Sequence, residues 1–421
     1  MTNTETSLTF HPLTILADPP DIMVGRMDIG SYAAFPEDGV ELLKQLQTGM
    51  HLQAAEVWYQ EQYGESLDLA DFIETLRDLQ FLQEEGEEVG KVLAPSVFWQ
   101  WVGRAAFSIP AWILYIGIIS ICLYLMIRLP YLRPSNNNIV FTPYISLLEL
   151  GLFFGQFPGI LFHESFHMLA GRRLGIPTRL SIGRRFYFLV FETHLDGLWS
   201  VPRRKRYLPF LAGILGDVLW FSILTILASQ TYTPAVPFSF GAFLRAMALL
   251  TALRLVWQFY FYLQTDLYYV FINALRCVNL QQTTRQFLFN CFYRLVGWQT
   301  RIVDEEQWNP RDRQVVRWYI PFFLGGYLFS TVIFLFVGVP VALQLLQLVA
   351  TQLFTHAALT TSFWNVILFL VLNGVQFGLI VGLVIMECRK AWIRAKKKKL
   401  NKINSGNRDH IELDQIGVSE A

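Results

Sequence analysis

The chain has 421 residues, of which 53% are hydrophobic and only 16% charged, so it is too apolar for an ordinary soluble globular protein. Its formal net charge of +1 gives no electrostatic reason to expect a nucleic-acid partner. Residues 1–107 mix charged and apolar positions as soluble domains do, whereas long uncharged runs begin near Ser108. The composition therefore predicts a small water-exposed domain followed by a membrane region.

The N-terminal region predicts a compact α+β domain of winged-helix type over residues 1–95. Its short apolar runs, ILADPPDIMVGRMDIGSYAAF, are followed by three stretches with helical periodicity, around 38–49, 51–62 and 67–82. In the third stretch Asp68 is placed to cap the helix, and Asp71 adds a second carboxylate to its first turn. The following EEGEEVGKVL predicts a charged turn and then a strand.

The remainder predicts a polytopic α-helical membrane domain over residues 96–388. A helix needs about 20 apolar residues to cross roughly 30 Å of hydrocarbon. A shorter apolar stretch at 266–276 predicts a half-span, and residues 389–421 form a basic tail. The six segments that are long enough are roughly 108–129, 144–170, 208–229, 240–263, 321–349 and 362–387.

Basic residues predict the orientation of these spans. Arginine and lysine concentrate in the loops 171–207 and 264–318 and in the tail, whereas the alternate loops contain only Arg133. Because basic residues near span ends resist translocation, both termini are expected in the cytoplasm. The lipid bilayer is an expected partner of the spans.

The sequence HESFH carries the strongest chemical signal. His163 and His167 are four residues apart, so on a helix both imidazoles project from one face and can bind one metal ion, with Glu164 beside them. The segment is otherwise apolar, and ionisable groups inside a membrane usually indicate function. The pattern predicts a zinc site in which Glu164 activates water.

A catalytic zinc site usually has three protein ligands, and the sequence offers several candidates for the third. Asp266 follows a span that runs in the same direction as the HESFH helix, which brings it to a similar membrane depth and favours it. Asp217, about 13 Å into the preceding span, is the alternative third ligand, or else accepts a hydrogen bond from a ligating histidine. His194 and Asp196 are predicted to be loop residues.

Two resemblances extend these predictions, the first covering roughly residues 20–85. YAAFPEDGVELLKQLQTG, AAEVWYQEQYG and DFIETLRDLQFL resemble PqqD-like peptide-recognition domains. Such domains occur with enzymes of modified-peptide biosynthesis, and they bind a leader peptide as an added strand beside a helix. The resemblance implies a peptide partner for this domain. A winged-helix domain with a regulatory or packing role is the alternative.

The second resemblance covers roughly residues 140–280. LFHESFHMLAGRRLGIPTRLSIG, WSVPRRKRYLPFLAGILGD and QTDLYYVF resemble the site-2 protease family of intramembrane metallopeptidases, particularly its bacterial peptide zinc metallopeptidase branch. This implies zinc bound by His163, His167 and Asp266, Glu164 as base, and a bacterial inner-membrane location. The family usually has glycine after the aspartate, where this chain has Leu267. Its AGP element appears here as Ala212, Gly213 and Ile214.

The sequence thus predicts a zinc-dependent endopeptidase that cuts a membrane-associated or leader-bearing peptide, with a peptide exporter as a further expected partner. The alternative is a noncatalytic membrane component for peptide binding or export, in which the metal is structural. A proton-coupled transporter has little support because inverted halves are not apparent in the sequence.

Overall fold

The structure is a computed structural model that describes residues 8–18, 21–26, 29, 31–64, 66–83, 97–142, 144–185, 188–231, 239–340 and 364–375, with isolated positions between 343 and 389. The described chain is mostly helical, with a small antiparallel sheet near its N-terminus. Within the described ranges, five helices are long and apolar enough to cross a membrane, which indicates a membrane-embedded protein.

The N-terminal domain packs three strands against three helices. The strands pair antiparallel in the order β1–β2–β3, with Val24 in the central strand opposite Ala33. The core lies between β2 and the helices, where Val24, Leu43 and Leu76 are fully buried. The elements are β1 (Thr14–Asp18), β2 (Asp21–Arg26), β3 (Ser31–Phe35), α1 (Glu37–Gln47), α2 (Leu52–Tyr63) and α3 (Leu69–Asp78).

The predicted local features of this domain are confirmed in α1, α2 and α3. The Asp68 side chain accepts a hydrogen bond from the Asp71 backbone N–H at 3.1 Å and caps α3 as expected. The apolar runs before α1 form the three strands. The strand predicted from EEGEEVGKVL falls at 84–93, outside the described residues.

The membrane region begins after α4 (Gln100–Ala106), and one of its helices lies at the centre. In the apolar part of α7 half of the residues are buried, compared with 6% in the apolar part of α5. This difference arises because α7 packs against α5, α8 and α9. The helices are α5 (Ile109–Arg128), α6 (Ile145–Arg173), α7 (Arg203–Thr231), α8 (Phe240–Trp257), α9 (Asp266–Leu275), α10 (Leu280–Val296) and α11 (Pro310–Ile333).

A β-hairpin joins α6 to α7. Its strands β4 (Arg179–Arg185) and β5 (Phe188–His194) pair antiparallel and are followed by a 3-10 turn, Asp196–Ser200. The fully buried Arg206 fixes the end of this turn, since its guanidinium donates to the carbonyls of Val201 and Trp199 at 2.7 and 3.0 Å. All three strands of the N-terminal sheet pack against the turn, which places the domain beside the hairpin.

Helices α5, α6, α7 and α8 occupy four of the predicted spans, and α9 occupies the predicted half-span. The fifth candidate span, Pro310–Phe336, overlaps the predicted span at 321–349, but its helix α11 begins eleven residues before the predicted start. The Asn309 side chain caps this helix by accepting from the Arg311 N–H at 2.9 Å, and the arginines in its first turns kept residues 310–320 out of the predicted apolar stretch.

A second structural unit comprises residues 144–150, at the start of α6, and the chain from Pro340 onward. Within this unit, Ser146 hydrogen-bonds the side chain of Asn365 in α12 (Trp364–Val375). The predicted span at 362–387 is described continuously only over α12, and the tail from 390 lies outside the described residues, so both remain predictions.

Candidate metal centre

Helix α6 presents both histidines of the HESFH sequence toward one point. Since four residues make just over one turn, His163 and His167 lie on the same face, and their Nε2 atoms are 3.1 Å apart. Both side chains are buried, as is that of Glu164. The prediction that both imidazoles project from one face, with Glu164 beside them, is confirmed in the structure.

Asp266, the first residue of α9, completes the cluster. Its Oδ2 atom lies 3.2 Å from the Nε2 atoms of both His163 and His167. Gln258, just after the end of α8, holds the aspartate in place. The side-chain oxygen of Gln258 accepts from the Asp266 N–H at 3.1 Å, and its backbone carbonyl accepts from the Thr265 hydroxyl at 2.7 Å. Among the candidates for the third ligand, Asp266 is the one whose carboxylate lies at the Nε2 atoms of both histidines.

The three converging atoms form a set that can hold a metal ion, since all lie within 4.8 Å of one another. The Oδ2 atom of Asp266 is buried and has no hydrogen-bond partner among the described residues. A buried acceptor atom of this kind is suited to a cation, which the carboxylate form of the side chain binds.

Helix α7 fixes the tautomer of both imidazoles. Nδ1 of His163 is 2.9 Å from an oxygen of Asp217, and Nδ1 of His167 is 2.7 Å from the carbonyl oxygen of Pro209. Both partners only accept hydrogen bonds, so each Nδ1 carries the proton and each Nε2 presents a lone pair. This arrangement is common for metal-binding histidines. Asp217 therefore has the position of the hydrogen-bond acceptor, the second of the two roles expected for it.

Asp217 is itself held by an arginine that the sequence analysis did not single out. Its carboxylate is fully buried, and Arg254 of α8 donates to the Oδ1 atom through Nε and Nη2 at 2.9 and 2.5 Å. The side chain thus bridges His163 and Arg254 across three helices. The available sequence signal was an arginine inside an apolar span, but the same span also contains Arg245.

Glu164 is oriented by the hairpin. The Thr193 hydroxyl of β5 donates to Oε2 of Glu164 at 2.7 Å, while the other carboxylate oxygen lies 3.8 Å from Nε2 of His163. The base candidate is therefore adjacent to the metal ligands without being part of the three-atom set. No sequence feature pointed to Thr193.

Gly213 of α7 lies directly against the ligand atoms. A Cβ atom at this position would overlap Nε2 of both His163 and His167. A side chain larger than hydrogen would therefore occupy the space where these lone pairs converge. The AGP-like element noted in the sequence thus places its glycine at the candidate metal centre.

The cluster opens into a cavity of about 980 Å³. Phe157 and Ile160 of α6 and Ile182 and Phe191 of the hairpin give it apolar walls, and the three ligand residues and Glu164 lie at its polar part. A cavity this size, mostly apolar with a few convergent polar groups, has the usual character of a binding site.

The remaining sequence candidates lie outside the cluster. His194 was predicted to be in a loop, but it is the last residue of β5, where its Nε2 atom is 2.7 Å from the Ser181 hydroxyl. The prediction failed because the arginine-rich segment was interpreted as loop, and the hairpin was missed. Asp196 begins the 3-10 turn after β5.

Comparison of the chain with protein-family models, with curated proteins and with solved structures gives no match, so its residues and geometry carry the functional interpretation.

Proposed function

We propose that the chain is an intramembrane zinc metallopeptidase that hydrolyses peptide bonds. The observation that carries the proposal is the convergence of two imidazole nitrogens and one carboxylate oxygen beside a fourth, separately oriented acid, Glu164. This centre involves helices α6, α7 and α9 of a membrane-embedded protein and opens into an apolar cavity.

Zinc fits the donor set. Zinc binds imidazole nitrogen and carboxylate oxygen at about 2.0–2.2 Å, and in tetrahedral geometry such ligands lie roughly 3.3 Å apart. The separations of 3.1 and 3.2 Å between the three ligand atoms are close to this value. Two histidines and one carboxylate leave a fourth position open, which is typical of catalytic rather than structural zinc sites.

The residues divide the chemistry between them. Bound zinc supplies a Lewis acid that polarises a carbonyl and lowers the pKa of water. Glu164 accepts the proton from the attacking water and returns it to the leaving amine. Thr193 holds one Glu164 oxygen and leaves the other toward the ligands. Asp217 and Pro209 keep the imidazoles in the binding tautomer.

The expected substrate is a peptide or a segment of a membrane protein. A helical segment hides its carbonyl groups in i to i−4 hydrogen bonds, so it must unwind before a carbonyl can reach the ligands. The apolar cavity walls favour a substrate with large apolar side chains next to the cut.

Metal content and cleavage test the proposal separately. Full-length wild-type protein should bind one zinc ion, His163→Ala should lose it, and Glu164→Gln should keep it, because ligand and base are different roles. Membranes incubated with wild type, but not with Glu164→Gln, should yield new peptide termini in mass spectrometry. Zinc without any cleavage would favour the noncatalytic alternative. Stoichiometric zinc in His163→Ala would refute the metal centre.

The N-terminal domain is proposed to capture the unfolded part of the substrate. Its sheet packs on the turn that carries Leu198 and Trp199, and both residues line the cavity. A binding module held this close raises the local substrate concentration, to roughly millimolar for short linkers. Deleting residues 1–90 should therefore raise KM and leave zinc content unchanged. An unchanged KM, with no peptide binding by a 1–95 fragment, would contradict the capture role.

A further inference from the structure

A second cleft, of about 480 Å³, lies between α9 and the first turns of α11. Its walls are aromatic, formed by Phe261 before α9, Phe271 in α9, and Trp318 and Phe322 in α11. Its lining shares no residue with the cavity at the metal centre. The volume lies within the range of about 300–1,000 Å³ that is usual for small-molecule sites.

One end of this aromatic cleft is polar and is positioned by the chain itself. The guanidinium of Arg311 donates from Nε to the Leu275 carbonyl at 2.9 Å and from Nη1 to the Gln314 side chain at 3.0 Å. These described contacts use two of the five N–H donors of an arginine. The guanidinium of Arg311 is therefore held in place at the polar end of the cleft, next to the end of α9. Its remaining N–H groups can donate to an anion.

The cleft follows α11 from its charged first turns into its apolar part. Arg311 is in the first turn of this candidate span, and Phe322 is eleven residues further, which corresponds to about 16 Å along the axis. That length is about half of a hydrocarbon core. Trp318 is 81% exposed and Phe322 is 68% exposed, so both present apolar surface that acyl chains would cover where this candidate span crosses a bilayer.

We propose that the aromatic cleft binds one phospholipid, with its phosphate on Arg311 and an acyl chain along Trp318 and Phe322. Arginine suits this role because its planar fork pairs with phosphate oxygens through two parallel hydrogen bonds. An apolar groove at this depth is filled by lipid rather than water, since water finds almost no hydrogen-bond partners there. The site requires no metal and no peptidase activity.

Native mass spectrometry of the full-length protein, with phosphatidylglycerol and diacylglycerol of the same acyl chains as probes, tests the phosphate contact. Wild type should retain phosphatidylglycerol, and Arg311→Gln should retain about tenfold less, the loss expected for one charge-assisted contact. Arg313→Gln, which removes the same charge outside the cleft, should behave as wild type. Diacylglycerol should bind weakly to all three, because it lacks the phosphate.

Filling the cleft tests the acyl-chain contact. Val315→Trp should block lipid retention, whereas Leu324→Trp, which changes an exposed position of α11 outside the lining, should not. In bilayers, a photo-reactive phenylalanine placed at position 318 should cross-link to lipid, which mass spectrometry detects as an added lipid mass.

Three results would overturn the proposal. The first is equal phosphatidylglycerol retention by Arg311→Gln and Arg313→Gln. The second is displacement of phosphatidylglycerol by inorganic phosphate at equal concentration, which would mean that the cleft binds an anion without binding the acyl chain. The third is cross-linking of position 318 to this chain or to a second copy instead of lipid.

Discussion

Gly213 offers a sharp test of the metal centre because the perturbation is a single methyl group. In Gly213→Ala the new Cβ overlaps both Nε2 atoms, and the rings can move away only by breaking their Nδ1 contacts with Asp217 and Pro209. Alanine is otherwise better than glycine in a helix by about 0.5–1 kcal/mol, so helix propensity alone would stabilise α7. We expect zinc binding to weaken about 100-fold, or roughly 2.7 kcal/mol, as when a ligand loses its supporting contacts.

The assay is a zinc titration of the full-length protein against a chromophoric chelator, together with thermal unfolding in excess chelator. Gly216→Ala is the matched control on the same helix, since its Cβ would meet the Phe166 side chain at 3.2 Å rather than the imidazoles. We expect Gly216→Ala to bind zinc as the wild type does. If Gly213→Ala had wild-type zinc affinity, the imidazoles could not be the ligands in the arrangement described.

Three further predictions address other parts of the centre and the orientation of the spans. Asp266→Ala should weaken zinc binding more than Asp217→Ala does, because Asp266→Ala removes a ligand. Asp217→Ala removes only the hydrogen-bond acceptor of a ligand, which lowers zinc affinity about 10–100-fold. Competitive titration gives the order of the two affinities, and the reverse order would exchange the roles of the two aspartates. Thr193→Val should lower kcat about tenfold with zinc affinity unchanged, whereas Thr193→Ser should restore the rate; loss of zinc in Thr193→Val would mean a structural role. An impermeant thiol reagent on intact cells should label a cysteine at Thr355 but not one at Lys205, and labelling at Lys205 would invert the orientation.

The parts of the site that were predictable from the sequence depend on local helix geometry or on depth in the membrane. The shared face of His163 and His167 follows from helical spacing alone, and the sequence HESFH contains it. Asp266 is 99 residues after His167, and its position followed from counting spans and comparing depths. The hydrogen bond to Asp217 was expected from the general need of a ligating histidine for an acceptor.

The parts that were missed depend on tertiary contacts or on mixed signals. LSI in β4 alternates apolar and polar positions, and β5 contains β-branched Val190 beside aromatic Phe191, but the arginines around these segments favoured a loop. Arg254 was visible as a charge within a span, yet its partner could be named only once α7 and α8 were packed together. Thr193 reaches Glu164 only because the hairpin folds back on α6.

The distribution of the ligands along the chain has a consequence for assembly. His163 and Asp266 belong to helices about a hundred residues apart, so an ion bound to both acts as a cross-link that closes a long loop. The two histidines are already oriented by α7 through contacts that need no ion, whereas Oδ2 of Asp266 has no hydrogen-bond donor among the described residues and lies 3.2 Å from both Nε2 atoms. In a protein that holds an ion here, α6 and α7 would supply an oriented pair of imidazoles, and the carboxylate of α9 would complete the site. Withdrawal of the ion is then expected to loosen the start of α9 before it loosens the contact between α6 and α7.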